Sequence, residues 1–274
     1  MELHLSFCPE KPSEISDVYR SYIQALVYKL LAEHNPEYAS LLHNCGYKVN
    51  ERIYLKNFVF SGIHDMNGHH PRKSRMNHNK NAYELFPDTH YRVIFRSSKL
   101  EFIQTFLFGI FQKQIKEKGR FYLGHCKCQI IDVELKELPE IIKKQHTYIP
   151  FHSGIVAIKK HAHHARIQDQ YLTLTHQKML EQAVKNNLLI KAKQENIDIQ
   201  DDQVSLTFKT IHHERERKQA TPRIPIEHNG KQFPLFATRA PIILHADPTI
   251  HKLALSAGLG EKGSEGCGFI NLID

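Results

Sequence analysis

The order in which strand-like and helix-like patterns follow one another constrains this chain more than any single motif. Residues 2–7, ELHLSF, place Leu3, Leu5 and Phe7 on one face of a strand. A helix over 16–34 carries Ile23, Leu26, Val27, Leu30 and Leu31 at i, i+3, i+4, i+7 and i+8, a single amphipathic stripe. Asn35 and Pro36 restart the chain as a short helix, PEYASLLH, because asparagine caps well and proline suits the first helical position; Gly46 is its natural stop. RIYLKNFVFSGI (52–63) reads as a strand, HDMNGHHPRKSRMNHNKN (64–81) as a long mobile loop, and HYRVIFRS (90–97) as the next strand. Ser98 and Glu101 form an S-x-x-E capping box ahead of a helix bearing Phe102, Phe106, Ile110 and Phe111. RFYLGHCKCQIIDVEL (120–135) reads as one long strand. Apart from the extra short helix the order is β-α-β-β-α-β, the ferredoxin-like unit.

A second unit of similar size follows. KELPEIIKKQHTYIP (136–150) reads as a linker, taken as 139–149 between domains at 1–138 and 150–274. GIVAIKK (154–160) and YLTLT (171–175) look like strands, 176–195 like a helix with Met179, Ala183 and Leu188, and QVSLTFKTI (203–211) like a strand. Asn229-Gly230 within RIPIEHNGKQFPLFA signals a hairpin. DPTIHKLALSAG (247–258) is a helix capped by Asp247, and CGFINLI supplies the last strand. The expected fold is therefore α+β, two tandem ferredoxin-like (βαββαβ-type) domains, with a glycine-rich loop in the C-terminal one.

Composition narrows the class. Hydrophobic residues make up 41% and charged residues 24%, ordinary for a soluble globular protein. No apolar run approaches the ~20 residues that span a bilayer. MELHLSFCPE has no secretory pattern, so a cytoplasmic protein with reduced thiols is expected. None of the five cysteines forms a CxxC pair; Cys126 and Cys128 share one strand face, which suits packing better than zinc. The pairs His69-His70, His163-His164 and His212-His213 raise the question of metal, but lack HExxH spacing and read as surface histidines. No metal and no cofactor are expected. An excess of 37 basic over 29 acidic side chains favours anionic partners, nucleic acid first.

Five of the 13 glycines fall within 258–268, as Gly258-Leu-Gly260-Glu-Lys-Gly-Ser-Glu-Gly266-Cys-Gly268. The pattern is two G-h-G units, h being apolar, five residues apart. It does not follow a strand and open a helix, and no GK[ST] ends it, so neither nucleotide fingerprint applies. Glycine permits positive φ and close backbone approach, so successive N–H groups can face an anion; a tight helix-to-strand connection is the plainer reading.

This double motif before a final strand resembles the repeat-associated RNA-binding proteins of CRISPR systems, the RAMP superfamily. Together with YIQALVYKLLAEHNPEYASLLHNCGYK and NFVFSGI, it resembles within that group the endoribonuclease that cuts precursor CRISPR RNA in its repeats. The resemblance covers essentially the whole chain. It implies metal-independent cleavage, in which the ribose 2′-hydroxyl attacks the adjacent phosphorus and leaves a 2′,3′-cyclic phosphate and a 5′-hydroxyl. The alternative is a relative that only holds CRISPR RNA within an effector complex.

Such a reaction needs a proton acceptor, a proton donor and positive charge at the phosphorane. His43 matches the family's catalytic histidine in the Leu-His run and sits at a helix end whose dipole favours an imidazolium. Without the match it is an exposed helix-end histidine. Tyr28 lies roughly 130° from the centre of its helix's apolar stripe, and matches the family's active-site tyrosine; a plain surface tyrosine is the other reading. Lys48 matches a basic residue that follows the histidine, and Tyr47 competes with it as a catalytic neighbour. RNA contact is expected from the glycine loop, through Gly258, Gly260, Lys262, Gly266 and Gly268. Further contact is expected from Arg72, Lys73, Arg75 and Lys80, and from Arg215, Arg217, Lys218 and Arg223. Glu214 and Glu216 interleave with that second segment, which equally fits a solvated charged face. CRISPR repeat RNA is thus the expected partner, with other effector-complex subunits possible, no membrane, and a monomer or homodimer.

Overall fold

The computed structural model describes all residues except 52, 75–81, 160–165, 212, 229 and 274. The first unit comprises β1 (Glu2–Pro9), α1 (Tyr19–His34), α2 (Pro36–Asn44), β2 (Phe58–Phe60), β3 (Tyr91–Ser97), α3 (Leu100–Glu117), β4 (Arg120–Leu123) and β5 (Cys126–Lys136). Its antiparallel sheet runs β2-β3-β1-β5-β4, the ferredoxin-like order with β4 added at one edge. Leu3, Leu5 and Phe7 face α1 and α3 in one apolar core with Ile23, Val27, Leu30, Phe102, Phe106 and Ile110. The two helices cross at Gly109, where a Cβ would stand 1.9 Å from the Leu30 carbonyl oxygen. α2 begins as its sequence demands: Asn35 Oδ1 accepts from the Tyr38 amide at 3.0 Å and Pro36 opens the helix.

The second unit comprises β6 (Gln145–Pro150), α4 (Gln177–Gln194), β7 (Ser205–Phe208), α5 (Glu214–Gln219), the hairpin β8 (Arg223–His228) and β9 (Lys231–Phe236), β10 (Ile242–His245), α6 (Pro248–Ala257) and β11 (Ile270–Leu272). Its sheet order, β7-β10-β6-β11, repeats the first. Two ferredoxin-like folds therefore stand in tandem. Asp247 Oδ1 accepts from the Thr249 amide at 2.9 Å and starts α6.

Several local expectations are corrected. The first strand of the second sheet, β6, begins inside the segment 139–149 expected as linker; His146, Tyr148 and Pro150 are its buried face. The described part of the expected strand 154–160, and 171–175, instead make single bridges, Ile155 to Thr238, Val156 to Glu261 and Ile158 to Tyr171. The expected strand 120–135 is a hairpin, because Gly124 takes φ +60° and turns the chain. The capping box at Ser98 does not form: the Lys99 amide donates to Ser97 Oγ at 3.0 Å, while Ser98 Oγ donates to Glu195 Oε1 at 2.6 Å. Among the described residues of 52–63 only β2 joins the sheet, and Tyr54–Leu55 pairs back onto Tyr47–Lys48. Of the expected loop 64–81, His64–Asp65 pairs with β3. Arg75, Lys80, His163, His164, His212 and Asn229 lie outside the described residues.

The halves are joined by buried polar contacts. Arg96, on β3, pairs with Glu2 Oε2 at 2.7 Å, donates to the Ile270 carbonyl at 2.6 Å, and stacks 4.1 Å from the Phe269 ring. Glu195, just after α4, accepts from Asn57 Nδ2 at 2.7 Å and pairs with Lys99 Nζ at 2.8 Å. Among the described residues, no helix is long and apolar enough to cross a membrane.

Candidate active site

The short helix α2 folds back on α1, and this brings two of the expected residues together. The Tyr28 and His43 rings meet edge to face, centroids 4.8 Å apart. Tyr28 also packs edge-on against Phe58, 6.2 Å away. His43 is exposed, and its Nδ1 lies 3.0 Å from Asn44 Oδ1. Asn44 Nδ2 donates to Ser40 Oγ at 3.2 Å, which leaves Oδ1 as acceptor; a neutral His43 donating to it from Nδ1 keeps Nε2 as a proton acceptor.

A third group, Lys56, completes this corner. Its Nζ donates to the Tyr28 hydroxyl at 2.8 Å and to the His43 carbonyl oxygen at 3.0 Å. It thus caps the carbonyl end of α2 and orients the tyrosine with one ammonium. Burial lowers the Lys56 pKa, Glu265 opposing and Lys262 assisting. Burial, with Glu265 adding to it, raises the Tyr28 pKa, so the phenol keeps its proton. Lys56 carries no spacing motif; its only sequence signal is its place just before NFVFSGI.

Among the described residues, neither of the other two candidates shares a hydrogen bond or ring contact with Tyr28 or His43. On the Tyr47–Lys48 strand successive side chains point to opposite sides. Tyr47 points inward, shares a 2.5 Å hydrogen bond with the Tyr38 hydroxyl, and is pushed up to about 12 chiefly by burial. Lys48 is exposed, and among the described residues no hydrogen bond or ion pair joins it to Tyr28 or His43.

The glycine loop crosses over strand β2 from the other half of the chain. Gly258, Gly260, Gly266 and Gly268 are buried. The amides of Leu259, Glu261, Glu265, Gly266, Cys267 and Gly268 already donate to carbonyls of Gly268, Val156, Lys262, Gly263, Lys262 and Gly154. Gly266, at φ +77°, lies so close to Phe60 that a Cβ would meet its ring at 2.6 Å; at Gly268 a Cβ would stand 2.1 Å from the Leu259 carbonyl oxygen. The loop's glycines therefore serve close packing; of its charged side chains, Glu261 Oε1 accepts from the Ile158 amide at 3.0 Å, while Glu265 and Lys262 act by charge on Lys56. Lys262 Nζ pairs with Glu265 Oε1 at 3.0 Å; burial lowers the lysine's pKa, but Glu265, with Tyr171 and Cys267, raises it on balance. Burial raises the Asp17 pKa against Ser16, Lys73 and Arg223, which lower it, so the positive charge of both basic elements is felt beside the start of α1. Arg72 and Lys73 are exposed there. Arg215 and Arg217 lie on the exposed α5, where Arg217 Nε donates to the Ile211 carbonyl at 2.6 Å and Lys218 pairs with Glu214 at 2.8 Å.

Of the histidine pairs, His69 is exposed against Asp65 and His70 is enclosed by aromatic rings. No group of three or more histidine, cysteine or acidic side chains is placed to hold a metal ion among the described residues. Cys126 and Cys128 are buried, their sulfurs 3.6 Å apart.

Residues 110–272, more than half of the chain, match the family model for CRISPR associated protein Cas6, C-terminal. The chain belongs to the Cas6 family. A Cas6-related protein from Pyrococcus furiosus superposes with a TM-score of 0.72 at 16% identity, covering 100% of this chain and 98% of the other. A RAMP protein described as binding different RNA substrates gives 0.71 at 14% identity, covering all of both chains. A further CRISPR associated protein Cas6 gives 0.66 at 19% identity, covering 100% and 99%. These likenesses concern the fold. No curated protein matches the sequence. The Cas6 match takes in the glycine loop and Arg215, Arg217 and Arg223, while Tyr28, His43 and Lys56 lie before it.

Proposed function

We propose that this Cas6-family chain is a metal-independent endoribonuclease that cuts precursor CRISPR RNA within its repeats. The observation that carries the reading is the convergence of an exposed His43 with Tyr28 and Lys56 at one corner. His43 Nε2 takes the proton of the ribose 2′-hydroxyl as its oxygen attacks phosphorus, or, once protonated, gives one to the leaving O5′. The bond from phosphorus to O5′ breaks, leaving a 2′,3′-cyclic phosphate and a 5′-hydroxyl. Lys56, in place of Lys48, supplies charge to the phosphorane, and the protonated Tyr28 hydroxyl holds Lys56 and the reacting group in register. Lys262, Arg223, Arg72 and Lys73 supply positive charge along the RNA backbone, with Arg215 and Arg217 further out; the glycines Gly258, Gly260, Gly266 and Gly268 shape the platform that carries Lys262.

The test is incubation of the protein with repeat RNA in EDTA. One cut ending in a cyclic phosphate is expected, and His43→Ala is expected to abolish it while leaving RNA binding within a few fold. Cleavage by the His43→Ala protein overturns the site. Tight binding with no cleavage by the unaltered protein makes it instead an RNA-holding subunit of an effector complex, and cleavage only with added metal overturns the mechanism.

A further inference from the structure

Lys191 is a lysine where an apolar side chain would be expected: it lies on α4 among Leu188 and Ala192 and is only 5% exposed. Its Nζ donates to the carbonyl oxygens of Ala257 at 3.2 Å, Gly258 at 2.8 Å and Gly260 at 3.0 Å. These are the last residue of α6 and the first G-h-G unit of the loop. An ammonium has three donors, and here three carbonyls that α6 and the loop leave unpaired converge on it. Removing it strands buried acceptors at the point where the chain leaves the helix.

What this grip holds in place is the reaction corner. From Gly260 the loop runs on to Lys262 and Glu265, then returns through Gly266. Around Gly263 it passes so close to β2 that a Cβ there would stand 2.9 Å from the Phe58 carbonyl oxygen. Phe58 carries the ring on which Tyr28 rests. Glu265 and Lys262 act by charge on Lys56, and Glu265 Oε2 is buried without a hydrogen-bond partner.

We propose that Lys191 is a positioning residue for RNA cleavage: it locks the glycine loop so that Lys262 and Glu265 stand beside Lys56 and Tyr28. The inference rests on the nuclease reading for its catalytic readout, and on geometry alone for its structural one. Lys191 touches neither RNA nor the reacting atoms. Its effect passes through the loop, so losing it alters the rate of the cut far more than the affinity for RNA.

The experiment compares Lys191→Met, Lys262→Met and the double variant with the unaltered protein, using repeat RNA. Single-turnover cleavage by Lys191→Met is expected to fall at least tenfold with Kd changed less than about threefold. In the double variant the rate losses are expected not to add, because both act through one loop. Additive rate losses, or cleavage at the unaltered rate by either single variant, overturn the proposal. Should Lys191→Met fail to fold, Lys262→Met alone and Glu265→Gln still decide it, since each is expected to slow cleavage at least tenfold and normal rates overturn it. If the unaltered protein cuts nothing, the nuclease reading fails, and amide exchange decides this one. Lys191→Met is then expected to lose at least tenfold protection at Leu259, Glu261 and Gly268 but not at Thr147 or Ile243. Unchanged loop protection overturns it.

Discussion

The Lys56 ammonium donates to the Tyr28 hydroxyl at 2.8 Å while also holding the carbonyl of His43 at 3.0 Å. One cation therefore ties together a residue of α1 and the end of α2. Lys56→Met leaves the ring contact without its tether and, on the proposed mechanism, the phosphorane without its charge. Single-turnover cleavage is expected to fall ~10²–10³-fold, the range for removing one preorganised donor. Lys48→Met, by contrast, is expected to cut within a few fold of the unaltered rate. Equal losses for the two lysines would return Lys48 to the site.

Tyr47 competes with Lys48 by sequence position, but its hydroxyl is taken up by Tyr38. Tyr47→Phe strands the Tyr38 hydroxyl in a half-buried position, at a cost of about 1–2 kcal/mol in stability. Urea unfolding measures that loss. Cleavage by the same variant is expected to be nearly unchanged, and a hundredfold loss would place Tyr47 in the chemistry.

On the proposed reading the positive charge near α1 binds the RNA backbone and takes no part in the cut. Arg223 is exposed and stands with Lys73 about Asp17. Arg223→Ala is expected to weaken RNA binding at every sequence alike and to reduce the slope of log Kd against log salt by about 1. A change in cut position with an unaltered salt slope would instead mark Arg223 as a base reader.

How far the sequence spoke for this site depends on the distance over which each contact is made. Asn35, Pro36 and Gly46 define α2 through contacts within one or two turns, so the pairing of Tyr28 with His43 follows from one local helix hairpin. Lys56 escaped because it reaches the corner only after Tyr54–Leu55 pairs back on Tyr47–Lys48, and nothing in its neighbours predicts that two-residue ladder. β6 was read as linker because its buried face is His146, Tyr148 and Pro150 rather than aliphatic. The glycines were legible as a family mark and as a place of close approach. What they approach was not, since Gly154, Val156 and Phe60 lie about a hundred residues or more upstream.

A cluster of rings at the junction of the halves makes stability depend on acid. His70 lies 5.1 Å from His152, which stacks 5.5 Å from His64. Burial, with Arg20 and His152 adding to it, pushes His70 down to about 3; burial, with His64 next, pushes His152 down to about 4. Both imidazoles stay neutral in the fold while the unfolded chain takes up protons near pH 6.5. The unfolded state then binds more protons, so stability falls as pH falls from about 6.5 toward 4, by on the order of a few kcal/mol, and is flat just above 6.5. Urea midpoints at pH 7, 6, 5 and 4 measure it, and His152→Phe is expected to flatten the fall. An unchanged slope in that variant would move the acid sensitivity elsewhere.

Arg96 is the other junction, and its loss can be reasoned through from its partners. The guanidinium is 5% exposed and meets Glu2, the Ile270 carbonyl, Asn271 Oδ1 at 3.2 Å and the face of Phe269. Arg96→Met keeps much of the side-chain volume but leaves the Glu2 carboxylate buried, with His4 Nε2 at 2.7 Å as its remaining partner. Breaking a buried pair from one side costs about 3–5 kcal/mol, because the stranded charge is not solvated. Replacing both, as Glu2→Gln with Arg96→Met, removes that charge, so the double variant is expected to be more stable than Arg96→Met alone. Because Arg96 belongs to the first sheet and Ile270 to the second, the single variant is also expected to separate one cooperative urea transition into two. A single transition with a loss under about 1 kcal/mol, the range of exposed pairs, would show that the pair does not hold the halves together.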